Sequence, residues 1–191
     1  MARPRSEDKR NAILTAAIEV FAEQGLSAPT ARIAREAGVA GGTLFTYFRT
    51  KEELLDQLYL SLKLGMREAI MAAYPHEASL QQRMRHLWRT YVGWGVAHPD
   101  KRKVMVQLAM SPHIDERSKA TGAEAFAEIG ALLEESRRSG LLRDKLPPEL
   151  VPAILGSLAE MTMDLILREP KHAEYYSQAG FEACWNAIAK P

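Results

Sequence analysis

Gly41, Gly42, Thr43, Thr46 and Tyr47 share a short segment with Leu44 and Phe48, which stand four residues apart. At helical spacing Leu44 and Phe48 form an inner apolar stripe, and the small and polar residues point outward. Such a face carries no bond-breaking groups. It allows a helix to approach another surface closely and to offer hydroxyls for hydrogen bonding. Just upstream, Ile33, Ala34 and Ala37 form the inner stripe of another short helix. Gly38 follows where a positive φ would end that helix, and Val39 plugs the gap between the two. Two short helices joined by a tight glycine turn, between Thr30 and Lys51, form a helix-turn-helix, whose second helix enters the DNA major groove. Neither helix is long enough to be stable alone, so both must pack on something larger.

Motifs for other chemistry do not occur. There is no glycine-rich phosphate loop, nucleophile elbow, His-Glu-x-x-His or Cys-x-x-Cys. His76, His86, His98, His113 and His172 never pair at i, i+3 or i, i+4, so neither a metal site nor a cofactor is expected. The expectation is a protein that is not an enzyme. The single cysteine, Cys184, forms no internal disulfide and fits a reducing cytoplasm. Its neighbours Phe181, Trp185 and Ile188 make it a small buried hydrophobe. No uninterrupted apolar run reaches the length of a membrane span, and MARPRSEDKR has no apolar core of a secretory signal.

The elements that must position the motif all read as helices, about nine of them, with no period-2 strand pattern. The first runs from about Asp8 to Gln24, with Ile13, Ala17, Val20 and Phe21 on one face and Gly25 as its stop. Residues 1–7 read as a basic arm. Arg3 and Arg5 belong either to a solvated tail or to an arm that meets phosphates or the minor groove. Helices follow over Lys51–Tyr74, Leu80–His98, Pro99–Met110, Glu116–Ser139, Pro147–Arg168 and His172–Lys190. The fold class is therefore all-α. A helix-turn-helix DNA-binding domain occupies residues 1–51, with its recognition motif at about 29–48. A helical effector-binding and dimerisation domain occupies residues 52–191. Charge agrees with this division: residues 1–51 hold 8 basic and 5 acidic side chains (+3), and the remainder hold 17 and 19 (−2).

Two clusters stand out in the larger domain. Residues 153–167 are apolar on most sides, with Ala153, Gly156 and Ala159 as a small-residue track. Together with Phe181 and Trp185 they are expected to complete a four-helix interface with a second copy, or else to be buried within one chain. The second cluster is Trp88, Tyr91, Trp94, Met105 and Met110, joined by Phe126 and Met161. It is either ordinary core or the lining of a pocket for a small, mainly apolar or aromatic effector. Glu160 and Asp164 are either a solvated stripe or acids facing a cationic ligand.

The run AGVAGGTLFTYFRTKEEL, with KRNAILTAAIEVFAEQG before it, resembles the DNA-binding segment of TetR-type transcriptional regulators. The resemblance covers about Lys9 to Leu55. It implies phosphate contacts from Thr30, Tyr47 and Lys51, and base-facing positions at Gly41, Thr43, Thr46 and Tyr47, with Gly42 in the same DNA-binding set. It also implies a cytoplasmic homodimer on double-stranded operator DNA, most often a repressor, released by a small effector. The sequence departs from the family pattern in four places. Ala40 stands where Ser or Thr usually caps the recognition helix, and Gly41 follows. Phe45 stands where Tyr is frequent, and Ala31 where some members carry a polar or Arg side chain. These departures leave an alternative, a helical small-molecule-binding protein or enzyme whose front end no longer binds DNA.

Overall fold

The computed structural model describes the backbone of residues 4–190 and the side chains of residues 7–190. Among the described residues there are ten α-helices: α1 Pro4–Gln24, α2 Thr30–Glu36, α3 Gly41–Tyr47, α4 Lys51–Met71, α5 Leu80–Ala97, α6 Pro99–Ala109, α7 Glu116–Glu124, α8 Ala127–Arg138, α9 Leu150–Arg168 and α10 Ala173–Ile188. A short 3-10 turn, Pro170–His172, leads into α10. The all-α expectation holds, and the described residues contain no strand longer than the isolated Leu142–Ala189 bridge.

Two differences from the expected elements have physical reasons. The first helix begins at Pro4 rather than near Asp8, so residues 4–7 are its first turn and not a free arm. Proline is pre-shaped for the first helical position, and Glu7 favours the positive end of the helix dipole. Arg3 and the Arg5 side chain lie outside the described residues. The single helix expected over Glu116–Ser139 is two, α7 and α8, because Phe126 leaves helical geometry with φ −112° and ψ 17°.

The chain divides into two compact units. One is the chain up to Gly65 together with His98–Ala125; the other is Met66–Ala97 together with everything from Phe126 on. The break between α7 and α8 falls at this division. The first unit holds the helix-turn-helix. Its core is Ile13, Ala17, Val20 and Phe21 of α1, Ile33 of α2, and Leu44 and Phe48 in and just after α3, all essentially sealed from solvent. Gly25 at φ +79° and Gly38 at φ +65° supply the left-handed backbone that ends α1 and turns the chain from α2 to α3. α6 packs against α1, and Tyr59 of α4 lies against the backbone of Gly122 in α7.

In the second unit α9 lies between α5 and α10. By length and composition alone α9 could cross a membrane. Its polar breaks, Ser157, Glu160, Thr162 and Asp164, interrupt every apolar run without removing the overall apolar character. Val151, Ala159, Thr162, Met163 and Ile166 turn inward and are buried. Cys184 is buried beside them, and burial pushes its thiol up to about 11, so it stays protonated and unreactive at neutral pH.

Three helices meet at Gly180 of α10. A methyl group there would collide with the Thr162 hydroxyl and lie 2.8 Å from Cζ2 of Trp88. Overpacking of this kind costs about 1–3 kcal/mol. Gly180→Ala should therefore lower the thermal midpoint clearly. Combining it with Thr162→Ala, which removes the hydroxyl that the added methyl would meet, should recover part of the loss. A midpoint unchanged by Gly180→Ala would show that this junction has slack.

Candidate DNA-binding face and effector cavity

α3 has seven residues, and only Leu44 within it is buried. Gly41, Gly42 and Thr46 are exposed, while Thr43 and Tyr47 are half-buried on the flank. Thr46 Oγ1 donates back to the Gly42 carbonyl at 3.1 Å, which fixes its rotamer on the helix surface. Ala40 precedes α3 without a side-chain cap. The neighbouring α4 is capped firmly: the Glu53 amide donates to Thr50 Oγ1 at 3.1 Å, and the Arg49 amide donates to the Glu53 carboxylate at 2.8 Å.

The sequence reading missed one residue of this face. Phe45 is 46% exposed and lies between Gly41 and Gly42 on the helix face when wound at 100° per residue. The helical period was enough to place it. Its position is the one where the family frequently carries Tyr, and without the hydroxyl it drops out of the expected hydrogen-bonding set.

Lys51 is held differently from the free cation that a phosphate contact suggests. Its ammonium donates to the Ala28 carbonyl at 2.8 Å and sits 5.9 Å from the centre of the Phe21 ring. It ties the start of α4 to the loop between α1 and α2, and the residue is half-buried. Thr30 opens α2 and is also half-buried.

The second unit holds an apolar cavity of about 230 Å³ that is open to solvent on one side. Three helices build it by the same rule, residues spaced three or four apart along one face. α5 gives Met84, Leu87, Trp88 and Tyr91; α9 gives Pro152, Leu155, Gly156 and Ala159; Phe126 with Ile129 and Leu133 of α8 gives a third wall. Met66 and Ile70, from the last turns of α4, close it. Trp88 is fastened by donating its indole N–H to the Ser177 carbonyl at 2.9 Å. The Tyr91 hydroxyl donates to Glu160 Oε1 at 3.0 Å, so this carboxylate is engaged with a wall residue. A methyl group added at Gly156 would meet nothing within 4 Å, so the missing side chain contributes open space.

Of the expected effector residues, Trp88, Tyr91 and Phe126 line the cavity and the other four do not. Trp94 is buried a turn further along α5, beyond the cavity's end. Met105 belongs to the core of the first unit on α6. Met110 ends α6 and is 83% exposed. Met161, two residues past Ala159, is rotated to the outer side of α9 and is 52% exposed. Asp164 is exposed as well.

The small-residue track also faces the other way from the expectation. Ala159 is buried within its own unit and Gly156 lines the cavity; of the three, Ala153 alone is exposed. Phe181 is buried, stacked on the half-buried Trp185 at 5.9 Å and edge-on to Trp88 at 6.3 Å. Small residues let α9 approach its neighbours and leave the cavity open. The large residues Ile154, Leu158, Met161 and Leu165 hold the outer stripe instead.

With this geometry the chain was compared with known proteins. Residues 13–58 match the family model described as bacterial regulatory proteins, tetR family. A solved structure from Shewanella sp. PV-4, described as a tetR family transcription regulator, is 32% identical over 96% of this chain and 99% of its own, with a TM-score of 0.85. The chain belongs to the TetR family of transcription regulators. The fatty acid metabolism regulator protein of Bacillus subtilis is 46% identical over 48 residues, a stretch that spans 25% of each chain. The FadR structure from Bacillus subtilis in complex with stearoyl-CoA shares the fold, with a TM-score of 0.72 and 19% identity over 94% of this chain and 99% of its own. In this TetR-family regulator the matched segment is the part of the first unit that carries α2 and α3.

Lys51 gives a direct test of the structural role found for it. Lys51→Ala removes a partly buried hydrogen bond to a charged donor, a change of about 1.5–3 kcal/mol. The variant should unfold at lower temperature, and a control, Arg35→Ala on the exposed side of α2, should not. Equal melting of Lys51→Ala and wild type would return Lys51 to a pure DNA-contact role.

Proposed function

We propose that this TetR-family protein binds operator DNA as a homodimer through α3 and that a compact apolar effector in the cavity releases it. The observation that carries the effector part is the half-open apolar pocket, one wall of which is the end of α4. α4 starts three residues after α3, so a ligand that favours another position of its far end changes the placement of the recognition helix. Two such helices must stand roughly 34 Å apart to read successive major grooves. Release then follows from differential affinity for the two spacings, with a coupling of about 1–3 kcal/mol.

Size and polarity narrow the effector. A cavity of about 150 Å³ lined by aliphatic and aromatic groups holds benzene, and this one is about 230 Å³. A one-ring to small two-ring apolar compound fits that space, with at most one polar group placed to intercept the Tyr91–Glu160 hydrogen bond. The stearoyl-CoA of the FadR structure belongs to that protein; a chain of that length would need this cavity to open further.

The DNA reading rests on the outward face of α3. With Gly41, Gly42, Phe45 and Thr46 exposed, few side chains are available to read base edges, and phosphate contacts supply most of the affinity. The dimer reading rests on the outer stripe of α9, which leaves Met161 and Leu165 uncovered beside the exposed Tyr175 of α10.

Three experiments test this. Polarisation of labelled DNA from upstream of the protein's own gene should show tight binding that weakens steeply with salt. Toluene should raise the melting temperature of the wild type and reduce its operator affinity, while Gly156→Leu, which fills the cavity, should keep DNA binding and lose both responses. A Gly156→Leu variant that still responds would place the effector elsewhere. Light scattering should give a dimer mass for wild type and a monomer for Leu165→Asp. A dimeric Leu165→Asp would move the interface off α9.

A further inference from the structure

α5 has two faces of opposite character. Met84, Leu87, Trp88 and Tyr91 line the apolar cavity. Gln82, Arg85, His86, Arg89 and Thr90 line an open groove of about 380 Å³. At 100° per residue the two sets are centred half a turn apart, so the helix itself separates them and a single small ligand cannot occupy both.

Arg85 and Arg89 are four residues apart, with His86 between them. Like charges at that spacing repel one another and destabilise the helix. Five other arginines of this chain are paired with carboxylates: Arg32 with Glu23, Arg67 with Glu128, Arg83 with Glu135, and Arg137 and Arg138 with Glu134. Among the described residues no carboxylate pairs with Arg85 or Arg89. Arg85 is instead pinned over the face of Phe181, 4.3 Å from the ring centre, which holds its guanidinium in place without neutralising it. The groove therefore offers one pinned guanidinium, Arg85, and a second, exposed one, Arg89, on the same wall.

We propose that this groove is a second ligand site, separate from the apolar cavity, for the phosphate group of a small molecule. Guanidinium forks bind phosphate and carboxylate oxygens bidentately, and two neighbouring positive charges match a dianion better than a monocarboxylate. The two sites meet at Ile70. Its side chain lines the cavity, and its carbonyl accepts from His86 Nε2 at 3.2 Å and from Thr90 Oγ1 at 3.3 Å. The donors that hold the last turn of α4 thus belong to the groove.

Calorimetric titration of the full chain with pyrophosphate at low ionic strength tests the site, with succinate as the carboxylate arm. Pyrophosphate should bind saturably at one site per chain and more tightly than succinate. Arg89→Gln, an exposed position, should weaken it roughly tenfold, the value of one charge-assisted pair. Arg85→Gln combined with Arg89→Gln should abolish it while toluene still protects the variant against thermal unfolding. No saturable pyrophosphate binding by wild type at millimolar concentration overturns the proposal. So does undiminished binding by the double variant, which would send the anion to the DNA-binding end. Tighter binding of succinate than of pyrophosphate overturns the phosphate assignment.

Discussion

Seven-residue helices do not hold themselves together in water, and the DNA-binding end of this protein depends on that constraint being met by burial. α3 exists because Leu44 and Phe48 are sealed in a core with Phe21 and Ile33. Its own backbone contributes little: no cap side chain precedes it, two glycines open it, and Thr46 returns its hydroxyl to the Gly42 carbonyl. The same burial decides which residues face outward, so the exposed side is a by-product of the core. α4 is the contrary case. Its start is fixed locally, by Thr50 and Glu53 on the backbone and by Lys51 on the Ala28 carbonyl. A weakly held recognition helix is thus followed after three residues by a firmly anchored one.

The second unit uses glycine in two opposite ways. Gly180 is a point of closest approach, where α10 presses on Trp88 and Thr162 and any side chain would collide. Gly156 faces open space, and its missing side chain is part of the cavity. Interiors are normally packed close to crystal density, so a half-open pocket of about 230 Å³ walled by large apolar residues leaves apolar surface facing water unless something fills it. The tight junction at Gly180 and the bonded Trp88 indole keep the surrounding helices from collapsing into that void.

Much of the fold was legible in the chain because apolar periodicity and helix stops are local signals. Ile13, Ala17, Val20 and Phe21 did face the core, and Gly25 and Gly38 did take positive φ. The break at Phe126 was not legible, because nothing in EAFAEIG disfavours a continuous helix. It appears where α7 and α8 join different compact units. Membership in the TetR family was likewise readable from residues 9–55, since each part of that motif stands at its own offset along the chain.

What remained for tertiary structure was rotation. A sequence determines that Gly156, Ala159, Met161 and Glu160 share a helix rich in apolar residues, but an almost uniformly apolar helix has no preferred inner side. Only packing against α5 and α10 decided that the small residues turn inward and that Met161 turns out. The same holds for Trp94 and Met105, whose composition suited a pocket but whose places along their helices put them in solid core. The sequence determined which residues could bury apolar surface, because that is a property of each side chain. Where that surface meets another wall, and where it leaves a gap, depends on helices distant in the chain, and only the folded packing decided it.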